Sequence, residues 1–123
     1  MTRLDAVIDA NDAFYRAMRR GDVQAMDALW ARQRRVTCTH PSGPGIEGRA
    51  AVMESWRLIL GEGAPVPVVC ENPVAVITGE TAMVLCEERI GDAVLIASNA
   101  WVREDGAWRM INHQAAEVRG TVR

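Results

Sequence analysis

VPVVCENPVAVITGETAMVLCEERIGDAVLIASNAWVREDGAWRMINHQAAEVR, residues 66–119, decides the fold. Val, Ile, Thr and Trp crowd this stretch, and Gly79-Glu80, Gly91-Asp92 and Asp105-Gly106 cut it into runs. Such side chains suit a pleated, half-buried surface, and Asp-Gly between two such runs is a strong hairpin signal. Four antiparallel strands are predicted: Val66 to Thr78, Thr81 to Ile90, Ala93 to Arg103 and Trp108 to Arg119.

Upstream, the period changes. Leu4, Val7, Ile8, Phe14 and Met18 fall at helical spacing, with Asp5, Asp9 and Asp12 early and Arg16, Arg19 and Arg20 late, the order the helix dipole favours. Gly21 stops this helix, and Asp22 caps a second through Val23, Met26, Leu29 and Trp30. Arg35 to His40 is rich in β-formers and ends at Pro41, so a short strand delivers His40 to the loop Ser42-Gly43-Pro44-Gly45. Arg49 to Leu60, bracketed by Gly48 and Gly61, is a third helix. The order ααβαββββ predicts an α+β fold, a curved antiparallel sheet wrapped around three N-terminal helices.

With 123 residues the chain makes one domain, residues 1–123, long enough to bury a core without disulfides or a structural metal. Its 49% hydrophobic residues exclude disorder. Fourteen basic residues, all arginine, against sixteen acidic give a net charge of −2, without the basic excess of a nucleic-acid or anionic-membrane binder. Cys38, Cys70 and Cys86 form no C-x-x-C pair and read as reduced thiols. The opening MTRLDAVIDAND carries acids where a signal peptide needs an apolar stretch, so a cytoplasmic, unexported protein is expected. Phosphate-loop, dinucleotide and serine-hydrolase motifs are absent, and the histidines and cysteines show no standard metal spacing. No cofactor and no metal are expected.

The segments Arg20-Gly21-Asp22 with Met26 and Leu29-Trp30, Val36 to Pro41, Ile46-Glu47-Gly48-Arg49 running to Ser55-Trp56, Asn99, Arg103 to Gly106, and Trp108 to Gln114 together resemble the SnoaL-like branch of the nuclear transport factor two-like superfamily. The resemblance spans nearly the whole chain. It implies a cone-shaped α+β barrel, a pocket in the mouth of the cone, and homodimers formed through the sheet. Members of that superfamily include isomerases, cyclases, dehydratases, hydrolases and oligomerisation domains, so the fold alone names no activity.

Ketosteroid isomerases of this superfamily pair a carboxylate base with a tyrosine and a protonated aspartate. Anchored on Arg20-Gly21-Asp22, the tyrosine position falls on Phe14, and Tyr15 beside it points about 100° away on a helix. Anchored on Pro41 and Gly43, the base position falls on His40, and the donor aspartate falls on Ser98 or Asn99. Steroid isomerisation by that mechanism is not expected, but His40 keeps a proton-transfer group in place.

His40 is thus the candidate catalytic base, although a histidine before proline can also simply cap its strand. Asn99 is a ligand-orienting amide or a network partner of Asn112 or His113. His113 alternates with Ile111 and Ala115 against Met110, Asn112 and Gln114, and either face could be inward. Phe14, Trp30 and Trp56 complete the candidate ligand-binding set as apolar walls. Trp108 reads as hairpin or dimer packing. Glu87 and Glu88 point to opposite faces of a strand, so one of them could be inward, but solvated or interface positions are expected. Cys38 and His40 share a face as a conceivable nucleophile pair, set against a plain buried thiol. The expected partners are a small apolar or amphipathic ligand and a second copy of the chain. The expected function is small-molecule binding in an apolar pocket; the alternatives are a cofactor-independent isomerase, dehydratase or hydrolase using His40 as base, and a non-catalytic dimerisation scaffold.

Overall fold

The computed structural model describes residues 2–118. Helix α1 runs Arg3–Arg20, opened by a reciprocal cap in which Thr2 Oγ1 accepts from Asp5 N (3.0 Å) and the Asp5 carboxylate accepts from Thr2 N (3.3 Å). Gly21 ends α1 in the left-handed region, φ 61°, and a Cβ there would lie 2.5 Å from the Gly63 carbonyl carbon. No other residue fits both demands. Asp22 Oδ1 accepts from Ala25 N and caps α2, Val23–Leu29. Helix α3, Arg49–Leu60, runs into a single tight turn at Gly61–Gly63.

The strands are β1 Thr37–Thr39, β2 Gly45–Glu47, β3 Val68–Thr78, β4 Thr81–Ile90, β5 Ala93–Glu104 and β6 Ala107–Glu117. They form one sheet in the order β2-β1-β6-β5-β4-β3. The four long strands form the expected antiparallel meander. Helix α1 packs on β3 and also reaches β6. Those strands lie three spacings apart, roughly 14 Å along a flat sheet, so the sheet must curl around the helix. This is the expected α+β cone, open between the edge strands β2 and β3.

Two details depart from expectation. The stretch after Pro44 is a strand, not only loop: β2 folds back antiparallel on β1, pairing Cys38 with Ile46. Proline punctuation hid three residues whose own N–H groups are free to pair. The sheet is also mixed, because β1 lies parallel to β6 with Cys38 opposite His113. A strand entering from the helical hairpin and leaving towards α3 can join this edge in either direction, and the short runs on each side carry no signal to choose.

Arg49 locks the helices to this edge. Its guanidinium donates to the carbonyls of Trp30 (2.8 Å), Ala31 (3.2 Å) and Asp27 (2.9 Å) and to Asp27 Oδ1 (2.8 Å). The Asp27 carbonyl also accepts from Trp30 N at the end of α2, so the guanidinium gathers the carbonyls of the last turn and of the chain that leaves it. The buried Glu104 carboxylate accepts from Arg32 N (2.8 Å) and Gln33 N (3.0 Å), holding the connection to β1 against β5. The concave face of the sheet buries Val84, Ala97, Trp101 and Met110 under α1 and α3, while Val74, Val76, Met83, Leu85 and Ile96 stand exposed on the convex face.

Candidate active site

The concave face also carries polar groups. Asn11 and Tyr15, one helical turn apart on α1, point down onto Glu88 of β4, Asn99 of β5 and His113 of β6, and all five are buried. Asn99 is the hub. Its Nδ2 donates to Asn11 Oδ1 (2.9 Å) and to the Tyr15 hydroxyl (3.0 Å), while its Oδ1 faces His113 Nδ1 at 2.6 Å. Tyr15 in turn donates to Glu88 Oε2 at 2.6 Å, with Cys86 Sγ 3.2 Å away.

This connectivity assigns the protons. An amide that spends its N–H groups on Asn11 and Tyr15 presents only its oxygen to His113, so Nδ1 carries the imidazole proton. His113 Nε2 then keeps its lone pair, 3.9 Å from Glu88 Oε2. Burial, with help from the nearby His40, lowers the His113 pKa from 6.5 to about 3, so the ring is neutral at ordinary pH. Burial also raises the Glu88 pKa above its usual 4.5, against the hydrogen bond from Tyr15, which favours the carboxylate.

His40 leaves β1 and meets α3. Ser55 Oγ donates to the Val52 carbonyl (2.6 Å) and therefore accepts from His40 Nε2 (2.9 Å), leaving Nδ1 as the basic nitrogen of His40. Trp56 stands edge-on to the ring at a centroid distance of 4.7 Å, and burial lowers the His40 pKa below 6.5. The two imidazole centroids are 6.4 Å apart. His40, Glu88 and His113 line one cleft of about 140 Å³, walled by Trp56, Met18 and Ile90 and opening past the exposed Pro41 and Ile59.

Of the expected site residues, His40, His113 and Trp56 meet at this cleft. Asn99 stands behind it and orients His113. Phe14 also lies behind, its ring 4.9 Å from His113 and 5.5 Å from Trp56. Trp30 is in the core, bridged to Met110, and is absent from the cleft wall. Glu88 overturns its expectation: it is 2% exposed instead of solvated, because it continues the inward row Val84, Cys86, Glu88. Tyr15, which the helical spacing directed away from the Phe14 position, is the residue that brings a hydroxyl to the network. Cys38 Sγ lies 3.6 Å from His40 Nε2, but burial raises its pKa to about 12, so it remains a thiol. Asn11 and Ser55 were not singled out from sequence; the spacing of Asn11 from Tyr15 was the available signal.

Among the described residues no three His, Cys, Asp or Glu side chains converge as a metal site, and no helix is long and apolar enough to cross a membrane.

Residues 7–117 match the model of the SnoaL-like domain. A crystal structure from Streptomyces avermitilis, a proposed dehydratase of the NTF2-like family, is 29% identical, with 94% of this chain and 96% of that chain covered and a TM-score of 0.88. A proposed calcium/calmodulin-dependent protein kinase type II association domain from Thiobacillus denitrificans is 31% identical, covering 89% of this chain and 93% of that one at a TM-score of 0.77. The F-box protein SKIP8 of Arabidopsis thaliana is 25% identical over 113 residues, which are 90% of this chain but 49% of that protein. The chain thus spans about half the length of that curated relative. With the family match running from α1 to the end of β6, the chain belongs to the SnoaL-like domain family.

Proposed function

We propose that the cleft binds a small uncharged compound and moves a proton on it without a cofactor, eliminating water from a β-hydroxycarbonyl substrate. The observation that carries this is the meeting of His40, Glu88 and His113 at one cleft with their pKa values pushed in opposite directions. A histidine held neutral is a base, and a carboxyl pushed towards its protonated form is an acid. His40 Nδ1 takes the proton from the carbon beside the carbonyl. The Glu88 carboxyl gives its proton to the departing hydroxyl, which leaves as water as the carbon–carbon double bond forms. Transfer of the His40 proton back to Glu88 restores the site.

Among the described residues no arginine lines the cleft, so a carboxylate or phosphate substrate finds no counter-charge from them. At about 140 Å³ it is also smaller than the ~300–1,000 Å³ of pockets that hold drug-sized ligands, which argues for a compound well below the size of a steroid. The likeness to a proposed dehydratase supports the same reaction class.

Incubation with β-hydroxybutyraldehyde in deuterium oxide, followed by proton NMR, tests the proposal. Crotonaldehyde formation or deuterium uptake beside the carbonyl is expected, falling about 10²–10⁴-fold in His40→Ala, the range of general acid–base catalysis. Turnover unchanged in His40→Ala contradicts it. Saturable binding with no exchange supports the binding-protein alternative instead.

The convex face supports a homodimer as a second feature. Val74 and Val76 are 58% and 59% exposed and lie in register with Leu85 and Met83, a contiguous apolar surface of the kind that marks association. The association domain among the similar structures points the same way. Sedimentation equilibrium at micromolar concentration should find a dimer, and Leu85→Glu should give a monomer. A monomeric parent protein contradicts this.

A further inference from the structure

On the side of α1 away from the cleft, a groove of about 260 Å³ runs between α1, α2 and β6. Arg16 and Arg20 reach it from consecutive turns of α1 and Arg109 from β6, over a floor of alanine side chains from both helices and Leu29. Seven of the twelve described arginines form ion pairs within the chain: Arg3, Arg32, Arg35, Arg49, Arg57, Arg89 and Arg103. Arg19 donates to the Val68 carbonyl. Arg16, Arg20 and Arg109 have neither an ion pair nor a side-chain hydrogen bond among the described residues, and they share this groove. In a chain of net charge −2, three such guanidinium groups on one wall are a local concentration of positive charge.

The acids nearby form no ion pair with it among the described residues. Asp22 lies in the groove, but its Oδ1 accepts from Ala25 N, and it comes within ion-pair distance of none of the three. Glu104 partly offsets Arg109 through space, but its carboxylate oxygens accept from Arg32 N and Gln33 N and it forms no ion pair with any of the three. The mutual repulsion of the three arginines is relieved by a bound dianion, and guanidinium forks match phosphate oxygens in pairs. The alanine floor leaves room for a flat apolar body but offers it no hydrogen bond.

We propose that this groove binds a small phosphomonoester carrying a short apolar body. The site lies apart from the cleft and does not depend on the reaction there.

Isothermal titration calorimetry at low salt with phenyl phosphate, inorganic phosphate and benzyl alcohol tests it. Phenyl phosphate should bind with a dissociation constant of about 1 mM or tighter, and both other probes about tenfold or more weakly. Arg20→Gln and Arg109→Gln should each weaken phenyl phosphate about tenfold, the loss of one charge-assisted pair, and added salt should weaken it further. Arg20 is exposed, so its variant keeps the fold. His40→Ala should leave the affinity unchanged. Absence of binding, unchanged affinity in both arginine variants, equal binding of benzyl alcohol or inorganic phosphate, or loss of binding in His40→Ala overturns the proposal.

Discussion

Asn99→Leu is expected to destabilise the protein by about 3–5 kcal/mol, because it strands buried polar groups on both sides at once. The amide makes three hydrogen bonds between 2.6 and 3.0 Å, to Asn11, Tyr15 and His113. Leucine fills a similar volume, so cavity formation contributes little. What is lost is the partner of Asn11 Oδ1 and the partner of the His113 Nδ1–H, each at a site 0–1% exposed where water cannot replace it. The Tyr15 hydroxyl keeps Glu88 and loses only a donor. For a domain of this size the melting temperature should fall by on the order of ten to twenty degrees. Thermal unfolding followed by circular dichroism measures this. A loss under about 1 kcal/mol would mean that the network is not the buried, fully engaged one described, since exposed hydrogen bonds are worth no more than that.

How much of this was legible beforehand differs from element to element. The four long strands were written plainly, because Gly79-Glu80, Gly91-Asp92 and Asp105-Gly106 punctuate an otherwise β-rich run and match the observed turns. The helices were equally plain, since Gly21, Asp22, Gly48 and Gly61 stand where helices begin and end. The inward face of the last strand was not legible. In β6 both Met110 and His113 are buried, which strict alternation forbids. The register supplies the reason: Ala100 pairs with Asn112 but Trp101 with Met110, so Ile111 is an extra residue that flips the pleat. No local sequence signal marks that bulge, and it is what turns His113 towards Asn99.

Glu88 departs from the default of its residue type for a different reason. A carboxylate on a strand defaults to solvent, and the cost of burying this one is offset in part by a hydrogen bond from a partner far away in sequence, Tyr15 at 73 residues' distance. Tyr15 could not be assigned from the helix alone, because Phe14 and Tyr15 are both fully buried, one against Trp56 and the other against the network. His40 could be picked out because strand, proline and loop follow one another directly. Its orienting Ser55 lies on a helix whose docking the sequence does not specify.

The opposing pKa shifts give the site a definite stability profile. His113 has a folded pKa of about 3 against an ordinary 6.5. As pH falls below 6.5 the unfolded chain takes up a proton that the folded ring refuses, so the contribution of neutral His113 is complete above that pH and is lost towards pH 3. Glu88 runs the other way. Its folded carboxyl holds a proton above the usual 4.5, so its burial costs stability as pH rises through that value and the group ionises. Opposite in direction, the two shifts act in the same sense, favouring a neutral imidazole and a protonated carboxyl side by side, the state in which the cleft can both give and accept a proton.

Nitrogen-15 NMR of the imidazole rings across pH 3–8 tests that state most directly. His113 should remain neutral as the Nδ1–H tautomer until the pH approaches about 3, and His40 should be the Nε2–H tautomer, titrating below 6.5. A His113 that protonates near 6.5 or carries its single proton on Nε2 would contradict the network, and a His40 that carries its proton on Nδ1 would contradict the base on which the proposed chemistry rests.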